Sequence, residues 1–252
     1  RRYIVKEVGG SDQETLLRVT EALVRHVCTA LGGSLIARFF MHFRRPRDGK
    51  DYVVMNNWLP PTGRQQWAEV YDLKGSADDK LMERNGERVQ QVHKRCWHVH
   101  KYMKCCWSEE RHQYYWGKQH AYEVPFHVTP HDREVIMQMI EQDARFMREQ
   151  QLMDYSIIVG VQRVEAYSPG QDCGFSDSPS EGQPYTCVHD NTASAYYLGV
   201  IDFLQSWTTT KSVAMMIKKP VAPQPQSTVP PDYYSLQFIR HFDQKFVGIA
   251  HG

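Results

Sequence analysis

The sequence has no apolar run approaching the ~20 residues that cross a bilayer, which excludes an ordinary membrane-spanning helix from its reading. Nothing at its start has the basic, then apolar, then small-residue order of a secretory signal. Net charge is also missing: 30 basic against 29 acidic side chains leave +1. No nucleic-acid partner is therefore expected, and attraction to anionic lipid is left to local patches. Cysteine is sparse, with 6 in 252 residues. That is too few for a disulfide scaffold, and a reduced, cytoplasmic setting is expected. No internal repeat is present. The length suffices for one large or two modest domains with a real core.

What is present reads as alternating strands and helices. Tyr3-Ile4-Val5-Lys6-Glu7-Val8 alternates like a strand, and since the chain opens within it, a fragment of a longer protein is expected. Ser11-Asp12-Gln13-Glu14 has the form of a capping box. The helix predicted after it carries Leu16, Val19, Leu23 and Val27 on one face and stops at Gly32-Gly33. A strand lysine followed by a helical glutamate suggests a Lys6–Glu14 ion pair that aims the lysine at phosphate. Residues 35–43 and 52–55 read as strands joined by a turn at Arg47-Asp48-Gly49-Lys50, and Asn56-Asn57-Trp58-Leu59-Pro60-Pro61 reads as a hinge.

From Glu87 onward, Val89, Val92, Cys96, Val99, Met103 and Cys106 recur at spacings of three and four, which predicts an amphipathic helix. His93, His98, His100 and His112 in the same tract raise a zinc reading. Against it, no Cys-x-x-Cys pair occurs and Cys105-Cys106 are adjacent. Thr129-Pro130-His131-Asp132 opens a further helix with Val135, Ile136, Met139, Ile140, Phe146 and Met147 on its buried face. Residues 164–195 hold no lysine or arginine and are rich in Ser, Pro and Gly, so a flexible acidic loop is predicted there. Pro230-Pro231-Asp232 caps a last helix bearing Phe238, Ile239, Phe242 and Phe246.

The helix from Thr129 runs into Leu152-Met153-Asp154-Tyr155-Ser156-Ile157-Ile158-Val159-Gly160, a carboxylate leading into an apolar β-branched run. Tyr196-Tyr197-Leu198-Gly199-Val200-Ile201-Asp202-Phe203 has the reverse polarity, an apolar run that ends in a carboxylate. Paired as antiparallel strands, the two put Asp154 and Asp202 at one rim of a sheet, a combination suited to a metal and a general base. Lys74, in Tyr71-Asp72-Leu73-Lys74-Gly75-Ser76, stands beside a glycine where backbone can approach a phosphate closely, or simply ends a strand.

Met153-Asp154-Tyr155-Ser156-Ile157-Ile158-Val159-Gly160 resembles the Met-Asp-Tyr-Ser-Leu-Leu-Val-Gly signature of phosphatidylinositol phosphate kinases. Tyr71-Asp72-Leu73-Lys74-Gly75-Ser76 is similar to a second signature of that family, residue for residue, and Val200-Ile201-Asp202-Phe203-Leu204-Gln205 resembles its Ile-Ile-Asp-x-Leu-Gln element. Val53-Val54-Met55-Asn56-Asn57 with Leu59-Pro60 looks like the hinge of the type I branch, the phosphatidylinositol 4-phosphate 5-kinases. The resemblance implies an α+β, two-lobed kinase-like fold. Residues 1–60 would be a partial antiparallel-sheet lobe, and residues 61–252 an α/β lobe with an insertion at 77–128, the loop at 164–195 and a specificity loop at 208–228.

It further implies ATP, Mg²⁺ and a phosphoinositide in an anionic membrane as ligands. The protein would then be cytoplasmic and peripheral on the cytosolic face of membranes, with no oligomer assumed. Lys6 and Glu14 fall on the nucleotide-binding lysine and its helical partner, and Asn57 and Trp58 where hinge backbone meets adenine. Asp202 falls on the metal-binding aspartate, Asp154 on the catalytic-loop aspartate, and Lys74 near the transferred phosphate or headgroup. Lys211, Val213, Lys218 and Lys219 fall in the loop that touches substrate and membrane. Two departures stand out. The family's Phe-Lys-Asp-Leu-Asp-Phe element is not recognisable, its nearest counterpart being Tyr115-Trp116-Gly117-Lys118-Gln119-His120, and Val213 replaces the type I glutamate and the type II alanine. A phosphatidylinositol 4-phosphate 5-kinase is expected, with an inactive phosphoinositide-binding scaffold of the same shape as the alternative.

Overall fold

A computed structural model describes residues 2–59, 66–92, 107–164, 185–189, 192–208 and 225–249. The chain opens with β1 (Tyr3–Val8), α1 (Gly10–Thr29), β2 (Phe39–Arg44) and β3 (Asp51–Asn56). These strands form an antiparallel three-stranded sheet in the order β1-β3-β2. Its β2–β3 hairpin turns at Gly49, at a φ of 67°. Most of β1 is exposed, and only Val8, Leu16 and Val53 form a small core beneath it.

Next come β4 (Glu69–Leu73), β5 (Lys80–Arg84), β6 (Glu87–Arg88), α2 (Glu109–Glu123), β7 (Phe126–Val128) and α3 (Pro130–Glu149). After them run β8 (Leu152–Met153), β9 (Ser156–Val164), β10 (Tyr185–His189), β11 (Thr192–Ile201), β12 (Gln205–Ser206), α4 (Pro231–Lys245) and β13 (Phe246–Gly248). Six of these strands make one antiparallel sheet in the order β10-β11-β9-β4-β5-β6, and β8–β12 and β7–β13 are two-stranded ribbons. The fold is α+β and kinase-like, as expected.

The helices form for local reasons. Thr129 caps α3 by accepting the Asp132 amide at 3.0 Å, and Pro130 sits at its first turn. The buried stripe of α3 includes Ile136, Met139, Ile140, Phe146 and Met147, and it packs on α4 beneath the large sheet. Ser108 caps α2. At the other end of α2, the Lys245 ammonium, carried in from α4, meets the carbonyls of Ala121 and Val124 at 2.7 and 2.9 Å. Phe126, Phe238, Phe242 and Phe246 lie in the core that these elements share.

Several local expectations fail. The capping box does not form, because α1 starts at Gly10 with Gly9 as its cap and no side chain closing it. Starting two residues earlier puts Ser11 inside the first turn, where it cannot serve as the cap. Residues 87–92 are not helical. Asn85-Gly86, at φ values of 50° and 79°, makes the tight turn of a β5–β6 hairpin instead. The remainder of that predicted helix lies outside the described residues, as do His93, His98 and His100 of the zinc reading, whereas its His112 falls in α2 beside Trp107. Part of the predicted flexible loop is strand, since Tyr185–His189 and Thr192–Ile201 pair with each other. Residues 165–184 lie outside the described residues.

Candidate active site

Three strand ends converge on one rim of the large sheet. Leu73 of β4 pairs with Ile157 of β9, which pairs in turn with Val200 of β11. The chain therefore leaves β4 at Lys74, enters β9 from Asp154, and leaves β11 at Asp202, all at the same edge. The two aspartates sit where the sheet gives way to the β8–β12 ribbon, in which Met153 faces Gln205. Making that bend puts both in the left-handed region, at φ of 61° for Asp154 and 55° for Asp202. Aspartate tolerates this backbone better than most residues, and such strain gathers at functional sites.

The basic partners come from different directions. Lys6, on the opposing face of β1, places Nζ 2.5 Å from Asp202 Oδ1. Lys74 places Nζ 2.9 Å from the Asp154 carbonyl, to which it donates, and 2.7 Å from Asp154 Oδ1 as an ion pair. The Lys6–Asp202 pair is half exposed, whereas Lys74 keeps only 14 % of its side-chain surface. All four residues line one open cleft of about 220 Å³, together with Asp12 and an apolar wall of Phe39, Val53 and Met55. A cleft with two carboxylates and two ammonium groups suits a polyphosphate and a hard divalent cation: the amines meet phosphate oxygens and a carboxylate offers a hard ligand.

The expected Lys6–Glu14 ion pair does not form. Glu14 is exposed on α1, and the acidic α1 residue on the cleft is Asp12, two residues nearer the strand. Two residues apart on a helix, Asp12 and Glu14 lie about 200° apart around its axis, so only one of them can face the cleft. Asn57 and Trp58 are not on the cleft wall. The Asn57 amide donates to the Arg2 carbonyl at 3.0 Å, and Trp58 is buried over Gly199. Lys118 is buried behind the Lys74 turn, with Nζ 3.7 Å from Asp78 Oδ1, and does not line the cleft. Lys211, Val213, Lys218 and Lys219 lie outside the described residues.

Sequence reasoning missed Asp12 and the apolar wall. Val53 and Met55 were findable, since they are alternate residues of β3 and both turn inward. The α1 helix is tied to the aspartate rim by Thr15 Oγ1, 2.8 Å from Ser206 Oγ, and by Arg18, which donates to the Gln150 carbonyl and Ser206 Oγ at 3.0 Å each. Its far end is anchored by the buried Asp143, which accepts from Ser34 Oγ and the Leu35 amide and lies 2.7 Å from His26 Nε2. Burial raises the Asp143 carboxyl above the usual range, opposed by those same hydrogen bonds.

A family model described as Phosphatidylinositol-4-phosphate 5-Kinase matches residues 1–181 and 169–245. Among curated proteins, the chain is 22% identical to phosphatidylinositol 5-phosphate 4-kinase type-2 alpha of Sus scrofa, over 95% of this chain and 64% of that protein. It is 20% identical to a 1-phosphatidylinositol 3-phosphate 5-kinase of Saccharomyces cerevisiae, over 86% of this chain and 8% of that one. A phosphatidylinositol 4-phosphate 5-kinase of Arabidopsis thaliana is 24% identical over 64% of this chain and 18% of its own length. The chain thus spans less than two thirds of the curated relatives it matches. No helix among the described residues is long and apolar enough to cross a membrane.

Proposed function

We propose, from the premise that this chain belongs to the phosphatidylinositol-4-phosphate 5-kinase family, that it transfers the γ-phosphoryl group of ATP to the inositol ring of a phosphatidylinositol monophosphate. The observation that carries the reading is the convergence of Lys6, Lys74, Asp154 and Asp202 on one cleft. Phosphoryl transfer asks for little covalent chemistry: it needs in-line positioning and neutralisation of the charge on the phosphate oxygens.

Asp154 orients the attacking inositol hydroxyl and accepts its proton. Lys74, already in contact with Asp154, holds the carboxylate in place and offers positive charge to the transferring group. Lys6 releases Asp202 to meet the nucleotide phosphates, an exchange made easy because an exposed ion pair is worth only ~0–1 kcal/mol. The apolar wall of Phe39, Val53 and Met55 accepts the flat base.

Asp202 is the residue that would hold Mg²⁺. No group of three or more metal-ligating side chains occurs among the described residues. The Asp202 carboxylate, with that of Asp154 on the same cleft, is the hard oxygen ligand this ion takes, one or two carboxylates with phosphate and water completing its shell. Once bound, Mg²⁺ would neutralise the β- and γ-phosphates as a Lewis acid.

For the finer assignment we favour phosphatidylinositol 4-phosphate as substrate and its 5-hydroxyl as acceptor. The support is the type I-like hinge and the description of the matching family. The curated relatives named above differ in the hydroxyl they phosphorylate. A cytosolic enzyme docked on anionic membrane completes the reading, with Lys218 and Lys219 as sequence-based candidates for lipid contact. The test is incubation with ATP, Mg²⁺ and vesicles carrying each phosphatidylinositol monophosphate in turn. Phosphatidylinositol 4,5-bisphosphate from the 4-phosphate is expected, product from another isomer alone revises the acceptor, and no product from any favours the inactive scaffold.

A further inference from the structure

Lys74 reaches Asp154 from a turn that is moulded by side chains off the cleft. Asp79, 1% exposed, uses one carboxylate oxygen to accept two backbone amides, from Lys74 at 2.7 Å and from Ser76 at 3.2 Å. Its other oxygen lies 3.1 Å from Nε2 of His241, which is itself buried in α4. The turn is pressed against α4: Gly75 has a φ of 67°, and a Cβ there would stand 3.0 Å from that of His241. One turn back along α4, Gln237 donates to the Gly75 carbonyl at 2.9 Å. One turn further, the buried Tyr234 hydroxyl donates to the Tyr155 carbonyl and lies 3.3 Å from the Lys74 carbonyl. A single stripe of α4 thus grips the backbone beside both Lys74 and Asp154.

We infer that Asp79, backed by His241, is a positioning residue that sets the Lys74 ammonium on Asp154. The inference rests on the cleft being the phosphoryl-transfer site and identifies what aligns it. The strand before Lys74 is locked by the Leu73–Ile157 pairing, so losing the carboxylate frees the turn rather than the sheet. The buried Ser76 amide and the part-buried Lys74 amide then lose their acceptor, and the turn shifts to find others. A displacement of about 1 Å at such a site costs ~10²-fold in rate. The loss belongs in kcat, because the substrates' other contacts are untouched.

The experiment pairs kinetics with a direct view of the lysine. Asp79→Ala, Asp79→Asn and His241→Ala are assayed on phosphatidylinositol 4-phosphate vesicles with ATP and Mg²⁺. In parallel, lysines are reductively methylated with ¹³C-formaldehyde, and the Lys74 resonance is assigned by its loss in Lys74→Arg. Asp79→Ala is expected to lower kcat ~10²-fold with both KM values unchanged and to move the Lys74 resonance. Asp79→Asn, which keeps an oxygen for the two amides, is expected to restore most of both, and His241→Ala to fall between. An unchanged kcat in Asp79→Ala, or a lowered kcat with an unmoved resonance, would overturn the inference. Should Asp79→Ala not fold, the same readings on Asp79→Asn and His241→Ala decide it, an unmoved resonance in His241→Ala counting against. If the wild type phosphorylates no lipid, the proposed function falls, and the resonance alone decides whether Asp79 positions Lys74.

Discussion

Ser156 of β9 and Ile201 of β11 stand opposite one another in the sheet, and that pairing brings Asp154 and Asp202 to a common cleft. Each aspartate is the residue at which its strand turns out of the sheet. Their side chains are therefore placed by the main-chain pairing on either side of that rim.

That placement predicts that Asp202→Asn separates activity from stability. Removing a charge aimed at the transferred phosphate costs ~10²–10³-fold in kcat. Its partner Lys6 is half exposed, so the change in unfolding free energy stays within ~1 kcal/mol. Lipid phosphorylation rates beside urea unfolding of both proteins check this. Asparagine also suits the left-handed backbone, so strain does not confuse the comparison.

Lys245 makes a prediction about pH. Burial pushes its ammonium down to about 8 from 10.5, as the amine caps two carbonyls of α2. The unfolded chain then holds a proton that the folded chain has released between those values. This group's contribution to stability therefore rises as pH climbs from about 8 towards 10.5, and below about 8 its cost is constant. Lys245→Met removes that slope, so wild type gains on the variant as pH climbs from about 8 towards 10.5 while the difference between them is flat below about 8. Urea unfolding of both proteins at pH 7, 8, 9 and 10 isolates the difference.

Gly199 predicts a packing failure. A Cβ there would fall 2.1 Å from Trp58 Cγ, so even alanine forces the indole off the sheet. Gly199→Ala should lower stability by ~1–3 kcal/mol or more. Trp58 fluorescence should shift to the red as the ring gains solvent, a change that thermal melts followed by fluorescence would register.

Much of this arrangement was legible beforehand, because it is written in local pattern. The opposed polarity of the 152–160 and 196–203 runs showed the aspartate rim, and the apolar spacing of α3 and α4 showed their buried faces. Lys6 pairs with Asp202 and not with Glu14, because residues two apart on a helix point to opposite sides and it is Asp12 that reaches the cleft. Asn85-Gly86 is a hairpin signal that the sequence reading passed over in favour of the helical spacing from Glu87. The Asp79–His241 and Asp143–His26 pairs left no trace, since each joins elements more than a hundred residues apart and a lone buried polar residue has no period.

The central claim is that Asp154 and Asp202 serve one transition state, and a double-mutant cycle on lipid phosphorylation tests it most directly. Asp154→Asn and Asp202→Asn are each expected to lower kcat by ~10²–10³-fold. The double variant is expected to fall little further than the worse single, because residues that act as a unit are grossly non-additive. Losses that simply multiply, or a wild-type rate in either single variant, would contradict it.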